Sequence, residues 1–276
     1  MSEQDPRAAS EEEQGGFRVS EGRAAFEIGA VLLALGALVL GALALANHFA
    51  DRLVARVPEA ADRTLGDRSA ELLALGSTPC PNPAALAYVE RVAAPLLAAL
   101  PDRRFEFRFR VVRAPDVNAF ALPGGNVVVN SALLEAAESG DEVAAVLAHE
   151  IHHVTRRHGT ARMLRELGAS ALLTLAFGGT EVAVPAKLAH DFASNAYDRA
   201  QEAEADRLGL ELLARAGLDP RGMVHFFERL AKSSVSPPEL LSTHPDPGGR
   251  AAAAELAAAS AKPRITLPSP REARCE

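Results

Sequence analysis

His149-Glu150-Ile151-His152-His153 constrains this chain more than any other segment, because it dictates what two separate parts of the fold must do. It lies inside Val143-Ala-Ala-Val-Leu-Ala-His-Glu-Ile-His-His-Val154, whose apolar positions recur at helical spacing. Side chains four apart on a helix share a face, so the His149 and His153 imidazoles can both reach one ion. Glu150 sits one residue round, where it need not bind that ion but can reach a water on it, the arrangement of zinc peptidases. A zinc ion used in hydrolysis takes three protein ligands and keeps its fourth position for water. A third ligand must therefore come from a neighbouring helix.

Arg199-Ala-Gln-Glu-Ala-Glu-Ala-Asp206 can supply it. On a helix, Glu202 and Asp206 lie four apart on one face, while Glu204 points away. Glu202 is the expected third ligand. Asp206, a turn further on, is suited to accept a hydrogen bond from the free ring nitrogen of a ligand histidine, fixing its tautomer. Without the upstream histidines, the same carboxylates would read as a solvated acidic face. His152 and His158 are out of register with the 149 and 153 pair and read as structural or exposed. His48, His190 and His225 have no comparable partners.

From Ile28 to Ala46 no charged or strongly polar side chain occurs, and the run is long enough for one helical crossing of a bilayer. A cleaved signal peptide has a shorter apolar core and a basic leader, whereas residues 1–25 form a long acidic tail, so an uncleaved single-pass anchor is expected. Arg18 and Arg23 flank one side, and Arg52, Arg56 and Arg63 the other, which leaves the orientation open. The expected organisation is a disordered tail over 1–25, an anchor over 26–47, a helical linker over 48–83, a metallopeptidase domain over 84–261 and a C-terminal tail over 262–276. A second apolar stretch, 169–184, is interrupted by Gly178, Gly179 and Glu181 and reads as a buried or membrane-surface helix.

Ala and Leu dominate, so the domain is expected to be α+β and mainly helical. Asn82 to Leu100 reads as an amphipathic helix, and Phe105 to Val111 alternates as a half-buried strand does. Asn118-Ala-Phe-Ala-Leu122 and Asn126-Val-Val-Val-Asn130, joined by Pro123-Gly124-Gly125, form an expected hairpin. Further helices are expected over 131–138, 141–158, 160–177, about 187–216, 219–232 and 248–261, with Gly217 ending the fourth. Cys80 and Cys275 sit in Pro-rich surroundings, and the sequence leaves open whether they pair. With 36 acidic against 29 basic residues, no basic tract and no Trp, no nucleic-acid partner is expected.

Across roughly 84–261 the chain resembles the HtpX, BepA and CAAX prenyl protease group of membrane-associated zinc metalloendopeptidases, metallopeptidase family forty-eight. The resemblance rests on Asn118-Ala-Phe with Pro123-Gly-Gly, on the 149–153 segment, on Glu202-Ala-Glu-Ala-Asp206, and on Ser242-Thr-His-Pro245 followed by Arg250. It implies a zincin-like fold and one zinc ion held by His149, His153 and Glu202, with Glu150 as base. It also implies that an extended polypeptide adds to the strand carrying Asn118, Ala119, Phe120 and Ala121. His244 and Arg250 resemble a pair that faces the metal, where the histidine either stabilises the oxyanion or fills the open zinc position in a latent form.

The chain departs from better-known members in having one convincing span and no tetratricopeptide repeats, so prenylated substrates and a barrel-assembly role are not carried over. The expected activity is hydrolysis of peptide bonds in unfolded or misfolded envelope or membrane proteins. Family analogy favours the periplasmic face of a bacterial inner membrane. The alternative is a latent zinc-dependent chaperone or assembly factor with little proteolysis. The sequence is silent on oligomeric state.

Overall fold

The structure is a computed structural model that describes residues 26–38, 41, 54–166, 197–232, 255–256, 258–259 and 261–275. The chain divides into two units, Met1–Ala46 and Asn47–Glu276. In the first, residues 26–38 form helix α1, on which Ile28, Val31, Leu32, Leu33, Leu35 and Leu38 are exposed. Residues 39–40 and 42–46 of the expected span lie outside the described residues. Among the described residues, no helix is long and apolar enough to cross a membrane.

The second unit is built around a four-stranded sheet of order β1-β2-β4-β3. Its strands are β1 (Thr78–Pro79), β2 (Arg108–Arg113), β3 (Ala119–Ala121) and β4 (Asn126–Asn130). β2 pairs parallel to β4, while β1 on β2 and β3 on β4 are antiparallel. The helices are α2 (Glu59–Gly76), α3 (Pro83–Ala99), α4 (Ser131–Ala136), α5 (Gly140–Thr155), α6 over 158–166, α7 (Arg199–Ala216) and α8 (Arg221–Lys232).

Successive strand side chains point to opposite faces, and the two hydrophobic clusters follow that alternation. Phe109, Val111, Ala119, Ala121, Val127 and Val129 face a core shared with α3, α5, α7 and α8. Phe120, Leu122 and Val128 face the other way, against Ala61 and Leu65 of α2 and Ala161, Met163 and Leu164 of α6. Both faces of β3 and β4 are therefore covered, which explains why Asn126-Val-Val-Val-Asn130 is buried throughout.

Several ends are set by local chemistry. Asn82 caps α3 by accepting from the Ala84 amide at 3.0 Å, with Pro83 in the first turn. Ser139 caps α5, accepting from the Glu142 amide at 3.3 Å. The hairpin turns through Gly124 and Gly125 at φ 70° and 105°, values closed to most side chains. The strand expected from Phe105 begins only at Arg108, because pairing starts where β4 does, with Arg108 opposite Asn126.

Two helix boundaries differ from expectation in ways that matter for the site. The helix expected over 141–158 stops at Thr155, because Arg157 adopts φ 59° and turns the chain into α6. α7 begins at Arg199 rather than well upstream, since Asp198 is extended and accepts from the Ala200 and Gln201 amides at 3.0 and 2.9 Å. Residues 187–196 lie outside the described residues.

Cys80 and Cys275 form a disulfide with a Cα–Cα distance of 5.3 Å and a sequence separation of 195. It pins a C-terminal strap that is also held by Tyr88 Oη donating to the Pro268 carbonyl at 3.0 Å and Asn82 Nδ2 to the Arg274 carbonyl at 2.7 Å. Closing so long a loop removes much unfolded-state entropy. The paired substitution Cys80→Ser with Cys275→Ser is expected to lower the unfolding free energy by about 2–4 kcal/mol in a denaturant titration. An unchanged midpoint would show that the strap is held without the bridge.

Candidate metal centre

α5 and α7 pack side by side, and Gly209 makes their close approach possible: a Cβ there would lie 3.3 Å from the His149 backbone nitrogen. That approach brings together the side chains that the two sequence motifs place on separate helices. One donor atom each from His149, His153 and Glu202 lies within 4.8 Å of the others, and all three residues are buried. His149 Nε2 is 3.5 Å and His153 Nε2 3.4 Å from the Glu202 carboxylate, and the two Nε2 atoms are 2.8 Å apart.

These separations test whether zinc fits. A tetrahedral ion with bonds of about 2.0–2.1 Å needs donors about 3.3 Å apart. The two imidazole–carboxylate separations meet that value, and the shorter imidazole–imidazole one opens with a small rotation of either ring. Two imidazoles and one carboxylate are a familiar catalytic zinc set. The residues fit the ion.

Asp206 Oδ1 lies 2.8 Å from His149 Nδ1 and fixes this ring with its Nδ1–H toward the carboxylate and its Nε2 toward Glu202 and His153. Burial alone would lower the His149 pKa, but Asp206 and then Glu202 reverse it, raising the value to about 10. Zinc uptake at neutral pH must therefore expel a proton. Below that pKa the apparent affinity is expected to rise about tenfold per pH unit over roughly pH 6–9, measured against a competing chelator. Affinity independent of pH would mean that His149 is already neutral before the ion binds.

Glu150, one residue along α5, is fully buried. Its negative charge is felt by Tyr197, whose phenol is held above its ordinary pKa by burial and then by Glu150, with Glu202 adding to the effect. Tyr197 is therefore a hydrogen-bond donor at neutral pH. It immediately precedes the Asp198 cap, stacks on the His153 ring at 4.0 Å between centroids, and donates to the Ala121 carbonyl at 3.2 Å.

Asn118, Ala119, Phe120 and Ala121 are buried and lie on or beside β3, the sheet's edge strand, which packs against α5. The Asn130 amide donates to the Asn118 carbonyl and the Leu122 amide to the Asn126 carbonyl. In an antiparallel pair this alternation turns the backbone groups of Ala119 and Ala121 away from β4, to the side on which the Ala121 carbonyl accepts from Tyr197 Oη. His244 and Arg250 lie outside the described residues, as does the apolar stretch 169–184.

Three residues near the centre escaped the sequence reading. His158 is buried, with Nδ1 2.9 Å from His153 Nδ1 and Nε2 3.2 Å from Glu204 Oε2, so it is neither exposed nor remote from the ligands. Glu204 points away from the Glu202 face, as expected, but what it meets there is His158 and Arg156, the latter at 2.6 Å. Burial would raise the Glu204 pKa, yet Arg156 and His158 hold it below its ordinary value. Tyr197 is the third. No spacing rule links His158 and Tyr197 to the zinc motif, because each arrives through a break in helical geometry, and Glu204 meets the centre only through His158. His152 is buried beside Thr155, and desolvation lowers its pKa to about 4, keeping it neutral and structural.

The chain is 38% identical over 208 residues to a protein named beta-barrel assembly-enhancing protease from Yersinia pestis, covering 68% of this chain and 42% of that one. The protein of that name from Escherichia coli strain K12 is 36% identical over 211 residues, covering 70% and 43%. Mitochondrial metalloendopeptidase OMA1 from Arabidopsis thaliana is 37% identical over 136 residues, covering 49% and 28%. The matched region thus spans less than half the length of each of these relatives. Residues 82–258 match the family described as Peptidase family M48, a match that contains both metal-centre motifs, and the chain belongs to that family.

Proposed function

We propose that the chain is a membrane-anchored zinc metalloendopeptidase that hydrolyses peptide bonds of unfolded or misfolded envelope or membrane proteins. The observation that carries this reading is the convergence of His149, His153 and Glu202 donors within 4.8 Å in a buried site, with Glu150 on the same helix as the histidines. Zinc bound there would act as a Lewis acid on the scissile carbonyl and lower the pKa of a water. Glu150 is placed to take a proton from the attacking water and hand it to the leaving amine. Asp206 keeps His149 Nε2 turned toward the site. His244 and Arg250, on the family resemblance, face the developing negative charge.

An extended polypeptide adds to β3 through the outward backbone groups of Ala119 and the Ala121 amide, beside the Ala121 carbonyl that Tyr197 Oη already engages, and backbone pairing of this kind demands no particular sequence. The exposed apolar side chains of α1 support anchoring through residues 28–46. The Cys80–Cys275 disulfide suits an oxidising compartment and supports the periplasmic side of a bacterial inner membrane. The experiment is cleavage of an unfolded polypeptide by the full chain in lipid nanodiscs with one equivalent of zinc. Cleavage that stops with a chelator and returns with zinc is expected. Zinc bound without cleavage would overturn the peptidase reading in favour of a holding or assembly role.

A further inference from the structure

We infer that His158 and Glu204 are positioning residues for the ligand His153, forming a second carboxylate-terminated chain behind the metal that parallels Asp206 behind His149. The inference rests on the ligand reading proposed above. His153 can offer Nε2 to an ion only if its ring proton sits on Nδ1, and that nitrogen is 2.9 Å from His158 Nδ1. Two imidazole nitrogens at hydrogen-bond distance need one proton between them, so His153 Nδ1–H donates and His158 Nδ1 accepts. The His158 proton then lies on Nε2, which faces Glu204 Oε2 at 3.2 Å. Glu204 is in turn held by Arg156 at 2.6 Å.

Every tautomer in the row His153, His158, Glu204 is thus set by the carboxylate at its end. Asp206 does the same for His149 in one step. The His153 ring is also fixed on its face by Tyr197, stacked at 4.0 Å and 16°. The His158 bond opposes rotation of the ring within that stack. This chain exists because of Arg157: its positive φ ends α5 and folds His158 back onto a ligand five residues earlier. In an unbroken helix the two rings would lie on different faces.

The test is the zinc affinity of the full chain, measured against a competing chelator, for wild type, His158→Ala, His158→Gln, Glu204→Gln and the exposed-site control Arg207→Ala. Losing a partner behind a ligand histidine typically weakens metal binding 10–100-fold, and that is the expected result for His158→Ala. Glu204→Gln is expected to weaken binding less, because an acceptor remains. Glutamine at 158 can accept from His153 and donate to Glu204, so His158→Gln is expected to recover part of the loss. Arg207→Ala should match wild type.

Cobalt-substituted protein gives a second readout: the visible ligand-field bands should shift in His158→Ala and return toward wild type in His158→Gln. A purely structural role would lower thermal stability while leaving the affinity of folded protein and its cobalt spectrum unchanged, and that outcome overturns the inference. If His158→Ala does not fold, Glu204→Gln with wild-type affinity overturns it equally. Failure of wild type to bind zinc would instead remove the ligand reading beneath it.

Discussion

Glu150→Gln is expected to lower kcat for peptide cleavage by about 10²–10⁴-fold while zinc content and melting temperature stay at wild-type values. The glutamine side chain keeps the size of the carboxylate but cannot take a proton from the attacking water. Glu150 is not among the residues whose donor atoms meet at the metal centre, so the ion should remain. Loss of zinc in this variant would place Glu150 among the ligands, and full activity would show that another group is the base.

Asp62→Ala is expected to destabilise the fold by about 3–5 kcal/mol, a large effect for a substitution away from the metal. Asp62 is 1% exposed and accepts from Arg157 Nε at 3.1 Å and from Thr160 Oγ1. Arg157 also donates from Nη1 to the Val54 carbonyl at 2.8 Å, so one guanidinium ties the start of the domain to the turn after α5. Burial pushes the Asp62 pKa up, and Arg157 and Thr160 offset that only in part. Removing the carboxylate leaves a buried guanidinium uncompensated. Replacing both partners, as in Asp62→Leu with Arg157→Met, should cost much less, because no charge is then left behind. Denaturant titrations decide it: a loss under about 1 kcal/mol for the single variant would mean that Arg157 swings to solvent.

What could be read from sequence follows from how far each feature depends on local spacing. The 149 and 153 pair and the 202 and 206 pair were legible because a fourfold spacing on a helix defines a face whatever surrounds it. The hairpin was legible because Pro123-Gly124-Gly125 permits few backbone paths between two apolar runs. His158 was not, because its place depends on one left-handed residue, Arg157, that no propensity singles out. Tyr197 was hidden by an expected helix that in fact begins only at Arg199, capped by Asp198. The Asp62–Arg157 pair and the Cys80–Cys275 bridge join distant parts of the chain, so only the folded packing brings them together. His158 and Tyr197, which reach the centre from outside its motifs, thus enter where regular geometry stops.

The account turns on one zinc ion shared by α5 and α7. Zinc X-ray absorption and metal content of the purified full chain, for wild type and Glu202→Ala, address it directly. The expected result is one zinc per chain, with two imidazole nitrogens and a carboxylate oxygen at about 2.0–2.2 Å, and loss of the oxygen ligand with most of the metal in the variant. A wild-type protein that binds no zinc, or a spectrum and stoichiometry indifferent to Glu202→Ala, would contradict it.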